Sequence, residues 1–248
     1  MNQAYDTDFA RAYNLLWGDF AQNVAPRIYD FYTRQPDAER TLLDVCCGTG
    51  QLARYFLERD FTVTGVDLSE PMILHARQNT AAYRERAAFI VADAADFRID
   101  GQVGLAVSTF DALNHLPDAA ALRSCFACVH AAVKPGGMFI FDLNTRAGLW
   151  RWNSINVNDT AETTLIFRGI YDGGDRGYTR ITGYIRDDDG RYSRFEETAY
   201  NVVYDLADVH ALLAETGWHS SYCARAADLG APLDDPEKEG RAFFVATR

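Results

Sequence analysis

The fold is decided by residues 41–53, which read TLLDVCCGTGQLA. The run begins as a short apolar β-strand, turns at Gly48 and Gly50, and continues as a helical pattern from Gln51. Glycines directly after a strand let the backbone turn tightly and let a ligand approach without meeting a Cβ atom. The following helix directs its first amide groups toward the same place, which favours an anionic group such as a carboxylate. This stretch predicts a ligand-binding loop in an α/β fold.

Strands and helices alternate along most of the remaining chain. We expect further strands at residues 61–66, 88–92, 105–108 and 138–142, with helices between them. A helix at 206–216, a strand near Tyr222 and a strand at 242–246 complete the pattern. Strands separated by helices imply right-handed crossovers and a mostly parallel sheet covered on both faces. The sequence therefore predicts a Rossmann-like α/β fold with seven strands.

A different pattern interrupts this alternation before the last helix. Residues 163–204 alternate apolar and polar side chains, and turn signals occur at residues 173–174 and 187–190. Such alternation predicts antiparallel hairpins. We expect an antiparallel β insert between the fifth strand and the last helix.

Composition excludes several classes of protein. The 248 residues are 48% apolar and 24% charged, which is typical of a globular chain with a sizeable core. The formal net charge is −11 and no basic block occurs, so we expect no nucleic-acid partner. The N-terminal residues lack a signal-peptide pattern, and no apolar run is long enough to span a membrane. These features predict a cytoplasmic protein.

The five cysteines fit the same compartment. Their odd number, without a secretion signal, favours reduced thiols. Cys125 and Cys128 form a C-x-x-C pattern within an apolar helical run that has no second Cys or His pair. We therefore expect buried cysteines there and no metal site.

Acidic residues end two of the predicted strands. Asp67 follows Gly50 by 17 residues, and Asp93 ends the third strand. An acid at the tip of the neighbouring strand can accept hydrogen bonds from both ribose hydroxyls, and open α/β sheets bind ligands along this edge. Gly48-x-Gly50-x-x-Ala53 also fits the dinucleotide fingerprint, so an NAD(P)-dependent oxidoreductase is one alternative. Asp44, within the first strand, fits that alternative poorly.

Three segments together carry a family resemblance. They are LLDVCCGTGQLARYFLERDFTVTGVDLSEPMILHAR (42–77), VADAADF (91–97) and KPGGMFIFDLNT (134–145). In this order they resemble class I S-adenosylmethionine-dependent methyltransferases, in the bacterial small-molecule branch that carries an antiparallel insert. The resemblance implies methyl transfer to a nitrogen or oxygen atom of a small molecule. A protein that keeps the cofactor pocket without catalysis is a second alternative.

The resemblance also implies roles for individual residues. Asp44, Gly48 and Gly50 would surround the methionine part of the cofactor, with Cys46 packing as a small apolar residue. Asp67 would hold the ribose hydroxyls. Leu68, Asp93 and Ala94 would contact the adenine. Ser108 and Phe110 would line the methyl-transfer face, and Tyr13 and Trp17 would close over it.

The acceptor side is less specified by the sequence. His115, just past the fourth strand, is the one histidine placed to reach an acceptor, and we expect it to act as a base or substrate contact. We expect residues 1–144 to form a helical cap and cofactor-binding core, 145–204 an aromatic-rich insert over the acceptor, and 205–248 the end of the core. The expected partner is a small-molecule acceptor, and the expected state is a monomer or homodimer.

Overall fold

The computed structural model describes residues 5–187 and 189–248. They form a seven-stranded sheet, in the order β10-β11-β5-β4-β1-β2-β3, and a four-stranded sheet, in the order β6-β7-β8-β9. The strands, numbered in chain order, are β1 (Thr41–Val45), β2 (Thr62–Asp67), β3 (Ala87–Val91), β4 (Val103–Ser108), β5 (Val133–Asn144), β6 (Ile155–Asp159), β7 (Thr163–Ile170), β8 (Arg176–Arg186), β9 (Tyr192–Val202), β10 (Ser220–Ala224) and β11 (Arg241–Thr247).

The large sheet is mostly parallel, as the sequence predicts. Strands β3, β2, β1, β4 and β5 pair in parallel, whereas β11 pairs antiparallel with both β5 and β10. The helices are α1 (Thr7–Leu16), α2 (Gly18–Thr33), α3 (Gln51–Leu57), α4 (Glu70–Asn79), α5 (Ala119–Ala132), α6 (Arg146–Trp150) and α7 (Leu206–Glu215). No helix in the described part of the chain is long and apolar enough to cross a bilayer.

Both faces of the sheet are covered by apolar side chains. Neighbouring residues of β1 point to opposite faces, so Leu42 packs with α2, α3 and α4 while Leu43 packs with α5 and α7. Phe56 and Phe126 are fully buried, one on each face. Burial of both faces explains why the strands read as apolar runs rather than as alternating ones.

The predicted insert, residues 145–204, contains two elements besides its predicted hairpins. Besides the three strands within residues 163–204, the structure adds the short helix α6 and the edge strand β6. All five residues of β6 are exposed, although Ile155 and Val157 alternate with asparagines as in a half-buried strand. Strand β5 also starts at Val133, earlier than the predicted residue 138, because residues 134–137 continue the chain through an irregularity in its pairing with β4.

Candidate active site

The carboxyl ends of β1 to β4 open into one cavity of about 510 Å³. Its floor is this strand edge, one wall is α1, and its roof is the inner face of the four-stranded insert sheet. The size is within the usual range for small-molecule sites, and the position is where open α/β sheets bind their ligands.

The glycine loop after β1 takes the conformation that its sequence predicts. Gly48 and Gly50 have φ angles of +53° and +76°. The Tyr13 ring lies 3.4 Å from the place of a Cβ atom on Gly48, so α1 covers the loop directly. A Cβ atom on Gly50 would lie 3.0 Å from that of Ala76 in α4. Gly50 thus permits close packing of the loop against a helix, whereas Gly48 borders the cavity.

Asp67, at the end of β2, is fixed against the glycine loop. Its carboxylate accepts backbone N–H groups of Gly48 at 2.8 Å and of Ser69 at 2.9 Å. Burial raises the pKa of Asp67, and these two hydrogen bonds oppose the shift. Because each carboxylate oxygen accepts more than one hydrogen bond, Asp67 still offers acceptors to a ligand in the cavity.

The residues that the sequence predicts to contact the adenine lie together in the structure. Leu68, Asp93 and Ala94 border the cavity beside Asp67. The Asp93 carboxylate accepts the backbone N–H of Ala95 at 2.8 Å, which orients it at the end of β3. An apolar wall beside fixed acceptors suits a flat ring that carries an amino group.

Asp44 borders a second, smaller cavity of about 30 Å³ behind the loop. Tyr13, Trp17, Cys46 and Phe110 border both cavities. Asp44 is 2% exposed, and no hydrogen-bond partner for its Oδ2 atom lies among the described residues. Burial, with the charge of Asp67, raises the pKa of Asp44 to about 8. A buried acceptor without a partner is costly, so this site suits a ligand with an ammonium group.

The loop after β4 is held by an ionic cluster that sequence reasoning missed. Phe110 and Asp111 have positive φ angles of 67° and 50°. The Asp142 carboxylate, on β5, accepts both of their backbone N–H groups, at 2.7 Å and 2.9 Å. Arg241, on β11, forms ion pairs with Asp142 and, at 2.7 Å, with Asp111. An aspartate inside an apolar strand, as in FIFDL, is the one local signal that could have identified this cluster.

His115 ends a short 3-10 helix (Ala112–His115) and borders the cavity. The neighbouring Asn114 anchors this helix, because its amide donates to the carbonyls of Asn144 and Val202 and accepts from the Asn144 N–H. The His115 Nε2 atom lies 3.8 Å from Asp111 Oδ2. Burial lowers the pKa of His115, and the Asp111 charge opposes that shift.

Two predicted site residues border neither cavity. Gly50 lies behind the loop, and Ser108 is fully buried because β4 is covered on both faces. Thr109, the first residue beyond the strand, borders both cavities instead. The expectation that Ser108 lines this face was therefore wrong. The predicted residues that border the main cavity are Tyr13, Trp17, Cys46, Gly48, Asp67, Leu68, Asp93, Ala94, Phe110 and His115.

The roof of the cavity combines apolar side chains with polar ones such as Asn156 and Thr179. Trp152 and Phe167 are the insert aromatics that border it, accompanied by aliphatic residues such as Ile181. Trp17 packs edge-on against Phe167, with ring centroids 5.7 Å apart, so α1 contacts the insert sheet. Tyr192 is exposed, so the aromatic content of the insert alone does not identify the residues that form the roof.

Comparison with known proteins agrees with this geometry. Residues 42–137 match a family of sequences described as a methyltransferase domain. The chain therefore contains a methyltransferase domain, and its sheet has the class I fold. A Geobacillus sp. (strain WCH70) protein, provisionally named a methyltransferase, is 26% identical over 94% of this chain and 92% of its own length. The family decides against the NAD(P)-dependent alternative, and S-adenosylmethionine is the cofactor.

Solved structures share the whole fold of this methyltransferase, including the insert. An S-adenosylmethionine-dependent methyltransferase from Clostridium acetobutylicum superimposes with a TM-score of 0.79 at 20% identity, covering 97% of each chain. The sugar N-methyltransferase KedS8 from Streptoalloteichus sp. gives a TM-score of 0.77 at 21% identity, covering 99% of this chain and 94% of its own. Both comparisons establish the fold.

Proposed function

We propose that this enzyme transfers a methyl group from S-adenosylmethionine to an amino nitrogen of a small molecule. The observation that carries the proposal is the continuous cavity, which joins an acidic strand edge to a chamber under the insert sheet. Cofactor and acceptor thus share one enclosed space. An acceptor held there reaches the methyl group without competing water.

The cofactor residues that we propose follow from the order of groups along the strand edge. Asp44, with its unpartnered buried Oδ2 atom, would bind the ammonium group of the methionine part. Asp67 would accept the ribose hydroxyls, and Asp93 the adenine amino group. Gly48 and Cys46 would lie beside the chain that connects these parts, and Tyr13 would cover it.

The acceptor would lie between His115 and the roof that Trp152 and Phe167 form. When bound, S-adenosylmethionine supplies an already activated methyl group, so the protein need not build a nucleophile. Its residues align the acceptor lone pair, exclude water and remove one proton from the methylated nitrogen. His115 is the proposed proton acceptor, because it borders this chamber and burial favours its neutral form.

An amine is the preferred acceptor for two reasons. KedS8, a sugar N-methyltransferase, shares the fold over its length, including the four-stranded insert. In addition, a neutral histidine can take a proton from an ammonium group more readily than from a hydroxyl group. We propose that residues 145–204 determine which acceptor is bound, since they supply the roof.

Two experiments test this proposal in order. S-adenosylhomocysteine at about 100 times its Kd should stabilise the protein by roughly 2.7 kcal/mol, which at about 2–4 °C per kcal/mol raises the Tm by several degrees. NAD should give no such shift. Small amines, amino sugars and their hydroxyl counterparts are then incubated with S-adenosylmethionine, and mass spectrometry measures the gain of one methyl group. Methylation of hydroxyl compounds alone would contradict an amine acceptor, and a Tm rise with NAD alone would contradict the cofactor.

A further inference from the structure

The cluster around His115 has a charge balance that cofactor binding does not explain. Asp111 is 8% exposed and Asp142 is fully buried, yet Arg241 is the single guanidinium that pairs with both carboxylates. With both acids ionised and His115 neutral, the cluster carries one net negative charge. A proton on His115 would bring it to zero. Uncompensated buried charge is unfavourable, so the cluster favours a proton at that position.

One carboxylate oxygen of Asp111 is placed to stabilise a proton on His115. Asp111 uses Oδ1 to bind Arg241 at 2.7 Å, which leaves Oδ2 facing the His115 Nε2 atom at 3.8 Å. The Asp111 backbone is also fixed, because the Asp142 carboxylate accepts the Asp111 N–H at 2.9 Å. Within residues 5–187 and 189–248, no other carboxylate oxygen lies within 4.0 Å of either His115 ring nitrogen.

The other elements packed around His115 bring no competing acid so close. The Tyr5 ring lies edge-on to the imidazole with centroids 6.3 Å apart, and the backbone of Tyr200 on β9 also faces the ring. Arg241 lies behind Asp111, where its charge lowers the pKa of His115. The Asp111 carboxylate therefore contacts the Arg241 guanidinium on one side and faces the His115 ring, which gains a proton, on the other.

We propose that Asp111 is a positioning residue that stabilises the protonated form of His115 during methyl transfer. The inference rests on the proposed role of His115 as proton acceptor. As the acceptor nitrogen forms its bond to the methyl carbon, the carbon–sulfur bond breaks and its electron pair goes to sulfur. The methylated ammonium then gives one N–H proton to the imidazole, and the imidazolium faces Asp111. No oxidant or reductant is needed.

The test compares Asp111→Asn with Asp111→Glu in the full-length enzyme. Asparagine tolerates positive φ angles better than most residues, so Asp111→Asn removes the charge and keeps the loop. Asp111→Glu retains the charge, and Asp208→Asn, on the exposed surface of α7, is the matched control. Binding of S-adenosylhomocysteine confirms that each variant is folded.

We expect the pH dependence of kcat with one fixed amine acceptor to separate these variants. Without the Asp111 charge, the His115 pKa falls, so the acid limb of the profile moves to lower pH by about one pH unit. The plateau falls at least tenfold because the ring is a weaker base. Asp111→Glu should keep the acid limb and the plateau close to their wild-type values, and Asp208→Asn should match the wild type. A lower plateau with an unmoved acid limb would overturn the proposal.

A second measurement is independent of the acceptor. The imidazole of His115 is titrated by NMR in ¹⁵N-labelled protein, and the signal is assigned by its loss in His115→Gln. We expect His115 to titrate at lower pH in Asp111→Asn than in the wild type, and identical titrations would refute the coupling. If His115→Gln retains full turnover, the proton-acceptor role fails even where this coupling is observed, so the two failures are distinguishable.

Discussion

Gly50→Ala tests whether the binding loop needs its close approach to α4. A Cβ atom on Gly50 would lie 3.0 Å from Ala76 Cβ and 3.1 Å from Ala76 Cα, with φ at +76°. Left-handed backbone costs an alanine about 1–2 kcal/mol, and overpacking adds about 1–3 kcal/mol. The lower entropy of the unfolded chain returns about 0.4–1 kcal/mol. The net loss in unfolding free energy is therefore about 1–5 kcal/mol.

Gly136→Ala is a matched control for that substitution. Its φ angle is +78°, and no atom lies within 4 Å of the added Cβ position. Both variants share the backbone and entropy effects, so they should differ by the overpacking alone, about 1–3 kcal/mol. Urea unfolding followed by circular dichroism measures both, and S-adenosylhomocysteine titration should show weaker binding in Gly50→Ala only. Equal losses of stability in the two variants would refute the close-approach argument.

Three further substitutions test the site. His115→Gln should lower turnover about 100-fold or more while the S-adenosylhomocysteine affinity measured by calorimetry stays unchanged; wild-type turnover would exclude His115 as proton acceptor. Burial raises the pKa of Asp44 from 3.8 to about 8, so the folded protein binds the extra proton and the ligand-free enzyme loses stability as the pH rises through that window. Asp44→Asn should flatten the fall of the ligand-free Tm between pH 3.8 and about 8, and should weaken cofactor binding; a Tm profile like that of the wild type would contradict the buried-acid account. Trp152→Ala should raise the KM for the acceptor and leave cofactor affinity unchanged, whereas Trp150→Ala, which is 52% exposed and outside the cavity, should change neither; equal KM values for both variants would remove Trp152 from the acceptor site.

The strand edge could be predicted from sequence because its signals are local. Gly48, Asp67 and Asp93 each lie at or within three residues of the end of a strand, and parallel strands bring their carboxyl ends to one edge. The alternation of the insert predicts its main hairpins for a similar reason. These features need only the order of elements along the chain.

The ionic cluster behind His115 could not be found this way. Arg241 is 130 residues from Asp111, and their pairing depends on β11 lying beside β5. The left-handed backbone of Phe110 and Asp111 likewise depends on Asp142, from another strand. Ser108 was misplaced because the last residue of a doubly covered strand points into the core as readily as toward the edge. Each of these features is a product of tertiary packing.

The acidic strand edge also bears on what remains bound after each turnover. Asp44, Asp67 and Asp93 lie along the part of the site proposed for the cofactor, whereas Arg151 and Arg241 are the arginines that border the main cavity. The cofactor is a sulfonium cation before transfer and a neutral thioether afterwards. Carboxylates attract the cation and gain nothing from the thioether, and their effect is strong in a poorly hydrated site. In the proposed cofactor placement, we therefore expect these carboxylates to favour the methyl donor over its product.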